Sequence, residues 1–311
     1  LKTSSDFKHI PALLKESIFY LGVKEKKCGI WVDATLGLGG HSAEILKNAE
    51  VDSKVIGIDC DEESLNIAIS NLKMFNNFIP VKENFKNIDV ILKNLNINEI
   101  DGILYDLGVS SLHFEKPDRG FSFSRNDRLD MRFNKEAKIT AFDIVNNYKE
   151  EEIAKILKYF GEERYYKKIA NEIIKSRPVN TTGELLEIVK RVKRKKENIN
   201  SATRVFQALR IAVNSELDNL KISLEKVIKF LKKGGRIVII SFHSLEDRIV
   251  KDFFKKESMD CICENKKLPC ICEHKKSIKI ITKKPVLPDE NEIKENRKVR
   301  SAKLRAAEKI I

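Results

Sequence analysis

The feature that most restricts this chain is a short apolar run, Ile30 to Ala34, that reaches Asp33 and then enters the turn Gly37-Leu38-Gly39-Gly40. A buried strand, a glycine turn and a helical pattern from about Ser42 together open a unit whose strand crosses to a parallel neighbour through a helix. The alternation continues. Val55 to Asp59 reads as a second strand, and Glu62 to Lys73 puts Leu65, Ile69 and Leu72 on one helical face. Phe78 to Val81 is a third strand, Ile88 to Leu95 a helix, and Ile103 to Leu107 a fourth strand. Four such units in order predict an α/β fold with a doubly wound parallel sheet.

After Asp106 the pattern breaks. Gly108 to Asn134 mixes Gly, Ser, Arg, Asp and aromatic residues without a steady period, as a functional loop does. From about Thr140 to Lys196 the periodicity is helical throughout, and sheet-like segments return beyond it. The expected organisation is therefore one sheet domain from 1–117 and 201–311, with 118–200 inserted as a mainly helical domain that recognises substrate. Val205 to Leu231 is expected as one long amphipathic helical stretch. Arg236 to Phe242 is expected as a fifth strand, Leu245 to Phe254 as a helix, and Ser277 to Thr282 with Ala302 to Ala306 as a closing pair of strands.

The 311 residues are 42% hydrophobic and 34% charged, enough to bury a core and too apolar for a disordered chain. No apolar run approaches a membrane span and no secretion signal is apparent, so a cytoplasmic, membrane-independent protein is expected. The formal charge of +13 is uneven. Residues 1–117 carry 13 basic and 17 acidic side chains, 118–200 carry 20 and 14, and 248–311 carry 18 and 10. That asymmetry suits a polyanionic partner held by the middle and the tail. The densest run, Lys190, Arg191, Lys193, Arg194, Lys195 and Lys196, reads equally well as a solvated helix face.

A glycine turn alone does not separate a dinucleotide site from a methyl-donor site. Two features do. The third glycine of G-x-G-x-x-G falls on Ser42, and Asp33 and Asp106 both end strands at one crevice. A pyrophosphate there meets like charge, whereas a sulfonium and an ammonium are attracted. Asp59, ending the second strand, is placed for the ribose hydroxyls of either ligand. Each aspartate taken singly could be no more than a turn or helix cap. The alternatives are an NAD-dependent oxidoreductase and a non-catalytic binding protein with the same fold.

Five motifs carry a resemblance: Asp33 to His41 (DATLGLGGH), Asp106 to Ser111 (DLGVSS), Arg119 to Phe123 (RGFSF), Asp130 to Arg132 (DMR) and Ser241 to Arg248 (SFHSLEDR). With His9-Ile10-Pro11 and Arg204 to Arg210, they run in family order over nearly the whole chain. The sequence resembles the bacterial 16S rRNA cytosine-N4 methyltransferases. The resemblance implies a class I, Rossmann-like methyltransferase fold with a helical insertion. It also implies methyl transfer from S-adenosyl-L-methionine to the exocyclic amine of a cytosine in the decoding centre, with 16S rRNA in the 30S subunit as partner and a homodimer left open. The donor-binding positions it implies are Gly39, Gly40, His41, Asp59, Phe85, Asp106 and His113, beside the Asp33 and Gly37 of the strand-end reading.

Asp106 and the carbonyls of Leu107 and Gly108 are the best-placed acceptors for a reacting amine, and Asp106 is the expected catalytic residue. Arg119, Phe121, Phe123 and Arg132 are read as candidates to grip a turned-out nucleotide, or equally as packing within the insertion. His243 is expected to line the substrate side. With Ser241 and Asp247 it does not make a hydrolase triad, since no G-x-S-x-G elbow is present. Cys261-x-Cys263 and Cys270-x-Cys272 could bind zinc, but free thiols are favoured and no metal is expected. Cys28 and Cys60 read as small buried residues.

Overall fold

The computed structural model describes residues 11–26, 28–192, 198–263 and 270–311. His9, Ile10, the lysine-arginine run at 193–196 and the segment 264–269 lie outside the described residues. The chain divides into two compact units. One comprises the chain up to Gly108 together with Leu217–Ile311, and the other is Val109–Glu216. The inserted unit is thus wider at both ends than 118–200.

The first unit is built on a seven-stranded sheet: β1 (Ile30–Asp33), β2 (Lys54–Asp59), β3 (Phe78–Lys82), β4 (Ile100–Asp106), β5 (Leu231–Ser241), β6 (Ile278–Ile280) and β7 (Lys303–Lys309). Their order is β3-β2-β1-β4-β5-β7-β6. The five strands from β3 to β5 are parallel, and β7 runs antiparallel to both β5 and β6. The winding reverses between β1 and β4, which opens a crevice at their carboxyl ends. All seven expected strands are present. β4 and β5 begin three and five residues earlier than their apolar runs suggest, because Ile100 pairs with Leu231 across a register shift.

The strands sort their side chains by the two-residue period. Val32, Ile56, Ile58, Ile103, Tyr105, Ile237 and Ile239 face one core, shared with α4 (Ile88–Asn94), α11 (Glu216–Val227) and α12 (Ser244–Glu257). Trp31, Val55, Leu104, Val238 and Ile240 face the other, shared with α1 (Leu14–Leu21), α2 (Gly40–Asn48) and α3 (Glu62–Leu72). Cys60 is partly exposed and Cys28, in the turn before β1, is exposed rather than buried. Among the described residues no helix is long and apolar enough to cross a membrane.

The second unit has its own core. α6 (Ala141–Asn147), α7 (Glu150–Tyr159), α8 (Tyr166–Lys175), α9 (Thr182–Val192) and α10 (Asn198–Asn214) follow the short α5 (Ser111–Glu115). Ile153, Leu157, Ile169, Ile173, Leu185, Val189, Val205 and Leu209 are completely enclosed, apolar at helical spacing in each case. The long helix expected from Val205 to Leu231 is two helices. Ser215 breaks it with φ +52°, at the point where the chain leaves the second unit. Just before it, Arg210 grips Glu216 through two hydrogen bonds of 2.9 Å.

A buried relay links the core to the turn after β3. Ser223 Oγ donates to the Phe85 carbonyl at 3.0 Å, which leaves the Tyr105 hydroxyl to donate to Ser223 at 2.7 Å. The Phe85 ring meets Tyr105 edge-on, with centroids 5.7 Å apart. Tyr105→Phe removes only the terminal donor and should cost about 1 kcal/mol, whereas Ser223→Ala strands a buried phenol and should cost about 1–3 kcal/mol. Urea denaturation of the two variants measures the order, and equal losses would mean that the relay does not run in this direction.

Candidate functional site

Three aspartates end three strands around the crevice. Asp33 closes β1 and is almost completely enclosed. Its Oδ2 accepts from Ser42 Oγ at 2.8 Å and its Oδ1 from the Thr35 N–H at 3.3 Å. Asp59 closes β2, and its two oxygens accept the N–H groups of Gly37 and Asp61, each at 2.8 Å. Asp106 closes β4, and its own N–H donates to Thr35 Oγ1 at 2.6 Å. The carboxylate Oδ1 of Asp106 is enclosed without a hydrogen-bond donor.

Burial raises all three carboxyls, because the charged form loses its hydration. Asp33 is pushed up to about 6 and Asp59 to about 7 against the backbone donors that oppose the shift. Asp106 is raised well above the usual carboxylate range by burial and then by the charges of Asp33 and Glu246. Among the described residues no lysine or arginine pairs with any of the three. The crevice therefore holds a local excess of negative charge that a bound cation would relieve.

The turn above them is shaped by its glycines. Gly39 adopts φ +85° as it enters α2, a conformation costly for any side chain. At Gly40 a Cβ would lie 2.4 Å from the Pro11 ring. Asn71 holds the turn by donating to the Leu38 carbonyl at 3.0 Å. His41 follows, 5% exposed. Its Nε2 lies 3.0 Å from the Ala12 carbonyl, which can only accept, so Nε2 carries the hydrogen and Nδ1 faces Asp106 Oδ2 at 3.6 Å.

The first unit thus brings together Asp33, Gly37, Gly39, Gly40, His41, Asp59 and Asp106, with Phe85 at the turn after β3. Several contributors are not evident from the crevice reading. Ser42, which spoils the dinucleotide fingerprint, is the residue that holds Asp33. Glu246, 2% exposed, accepts the N–H groups of Phe242 and His243 at 2.9 and 3.3 Å. Its signal was the H-x-x-E spacing of a capping box. His243 is the other half of that box, with Nε2 3.1 Å from Glu246 Oε1, and so serves as the cap of α12. Asp247 is held by Arg305 at 2.6 Å, away from any triad.

The remaining expected residues belong to the second unit, and their side chains have internal work. His113 packs against Phe121 and Phe133 at 4.9 and 5.1 Å. Phe121 stacks on Phe133 at 5.5 Å, and Phe123 meets Phe206 edge-on at 5.4 Å. Arg119 is buried and donates to the carbonyls of Arg132 and Phe133. Arg132 is bound bidentately by Asp130 at 2.8 and 2.7 Å and also donates to Lys135 and Ala137 carbonyls. Arg119 and Arg132 tie the loop to its own backbone, because a guanidinium withdrawn from water needs several acceptors.

Comparison with known proteins agrees with the chemistry of the crevice. A family model described as the MraW methylase family matches residues 6–310. The chain belongs to this family. Relatives named ribosomal RNA small subunit methyltransferase H are similar over nearly their whole lengths. That of Caldicellulosiruptor saccharolyticus is 51% identical, covering 98% of this chain and 100% of the relative. That of Halothermothrix orenii is 50% identical over 97% and 99%, and one from Clostridium botulinum is 48% identical over 98% and 100%.

The methyl donor of such an enzyme is S-adenosyl-L-methionine, and the residues present fit it. Its sulfonium and ammonium would be favoured by the carboxyls that end β1, β2 and β4, which have no basic partner among the described residues. Each Asp59 oxygen keeps a lone pair for a ribose hydroxyl. A pyrophosphate would instead face Asp33 and Asp106 directly.

Proton linkage provides a test. Asp33 and Asp59 hold their protons more tightly in the folded chain than at the ordinary value of 3.8. The stability they contribute is present at low pH and is lost as pH rises through about 6 to 7. A bound cation favours the ionised forms, so donor binding should release protons and tighten from about pH 5 to about pH 8. Calorimetry in two buffers of different ionisation heat reads this directly. Heats independent of the buffer would mean that the carboxyls are already ionised.

Proposed function

We propose that the protein transfers the methyl group of S-adenosyl-L-methionine to the exocyclic N4 amine of a cytosine in the decoding centre of 16S rRNA, acting in the cytoplasm on the 30S subunit. The observation that carries the reading is the cluster of Asp33, Asp59 and Asp106, raised by burial and without a cationic partner. It occurs in a chain about half identical to small-subunit rRNA methyltransferases.

Cytosine's amino lone pair is delocalised into the ring, so the nitrogen is a poor nucleophile. Bound S-adenosylmethionine supplies a strongly electrophilic methyl group. The chain has to hold the amine in line and accept charge as its hydrogens become acidic. Asp106 is the proposed catalytic residue. Its Oδ1 is free to accept from the amine, and its basicity is increased by burial beside Asp33 and Glu246. His41 lies across Oδ2, with Nδ1 3.6 Å away. Gly108, at φ +126° with the Phe242 ring 3.2 Å from a Cβ built there, turns the backbone just beyond the carboxylate and presents its carbonyl as a further acceptor.

The RNA is held chiefly by charge. The second unit contributes exposed cations, among them Arg125, Arg128, Arg164, Lys167 and Lys168. The buried Arg119 and Phe121, with the half-buried Phe123 and Arg132, form the frame that carries them, and His243 orients the loop before α12. The acceptor base must be turned out of its stack to react.

Incubating labelled donor with unmodified 30S subunits and with free 16S rRNA, then identifying the nucleotide, tests the assignment. N4-methylcytidine is expected, more strongly from subunits, and label in uridine or adenosine would overturn it. Asp106→Asn should lower the transfer rate about 10²- to 10³-fold by removing the acceptor while keeping the shape. A rate within about threefold of the parent would remove Asp106 from the chemistry.

A further inference from the structure

Between α12 and β6 the chain makes an excursion away from both cores of the first unit. Its ends are tied together. The Ser277 N–H donates to the Glu257 carbonyl at 2.8 Å and its hydroxyl to Glu257 Oε2 at 2.7 Å. His274 Nε2 lies 3.0 Å from the Lys256 carbonyl, and Asp260 pairs with Lys276 at 3.6 Å. Beyond these stitches the described residues of the excursion supply no apolar interior. None of its described residues from Met259 to Lys276 is buried, and Ile262 and Ile271 are 38% and 88% exposed. A segment of this kind needs some other source of order.

Four sulfurs converge inside it. The Sγ atoms of Cys261, Cys263, Cys270 and Cys272 all lie within 4.8 Å of one another. Cys263 and Cys270 are 4.0 Å apart, Cys270 and Cys272 3.5 Å, and Cys272 and Cys261 3.9 Å. Four thiolates around zinc, with bonds of about 2.3 Å at tetrahedral angles, stand about 3.8 Å apart. A disulfide would require about 2.05 Å. Two backbone N–H groups point at sulfur, that of Ile262 at Cys272 and that of Cys263 at Cys261, each at 3.4 Å. Donors of this kind stabilise thiolate and orient it toward a metal.

We propose that Cys261, Cys263, Cys270 and Cys272 bind one zinc ion in a closed structural site that folds the segment between α12 and β6. Four protein ligands leave no position for water or substrate, so the ion orders the chain and takes no part in methyl transfer. The two C-x-C pairs approach in the same way as the ligand pairs of a zinc knuckle, with a tighter turn within each. The free-thiol expectation from sequence gives way because the thiols, six residues apart between pairs, meet at tetrahedral spacing.

Elemental analysis of the full-length protein, purified under reducing conditions without chelator, should find one zinc per chain. Exchange with cobalt should give the visible bands of a tetrahedral thiolate centre. Cys263→Ser combined with Cys270→Ser should abolish the metal, render the segment sensitive to protease and leave S-adenosylmethionine binding unchanged. If that variant does not fold, the cobalt spectrum of the unaltered chain still decides the matter. Four freely titrating thiols with neither zinc nor cobalt bound, or a pair of disulfides in protein kept anaerobic, would overturn the proposal.

Discussion

Charge placed at the ends of β1, β2 and β4 without a counter-ion governs much of this structure. A buried carboxylate normally finds a basic partner or loses its charge. Here the crevice at the reversal of strand order concentrates Asp33, Asp59 and Asp106, and among the described residues backbone N–H groups, hydroxyls and a histidine edge are what meet them. The arrangement makes sense if the missing charge arrives with the ligand. A positively charged donor is then recognised by the relief of a strain that the fold carries in its absence, and its neutralised product is held less well.

The sheet was largely legible in the sequence because a buried parallel strand needs an unbroken apolar run, and the helices between strands keep their own period. All seven strands, the glycine turn and the three strand-end acids could be placed from these signals. What could not be placed depends on side-chain partners distant in sequence. Nothing local shows that Ser42 serves Asp33, that Tyr105 reaches Ser223, or that Arg119 turns inward to carbonyls thirteen and fourteen residues away. An arginine in a glycine- and serine-rich loop reads as a phosphate ligand unless its acceptors are known. Ser215 illustrates the same limit for the backbone. Its flanking residues keep helical spacing, so the break is set by the need to leave one core and enter another.

The two units divide the work by composition. The sheet unit holds the acidic crevice, and the helical unit packs an apolar core beneath an exposed basic exterior. Insertion between β4 and α11 places the second unit directly after the strand that bears Asp106. The loop that begins there is held by Arg119, Arg132 and the stack of Phe121 on Phe133, so its order does not depend on the substrate. A rigid frame of this kind limits the entropy lost when RNA binds.

The position of β7 has a consequence for biosynthesis. It follows both β5 and β6 in the chain, yet it lies inside the sheet between them, where Arg305 also secures Asp247. During translation β5 must therefore wait with an unsatisfied edge, and the molecule can close only when residues 303–309 have emerged. A nascent chain stalled short of that point would expose a row of unpaired amides and carbonyls, the template on which strands from other chains assemble.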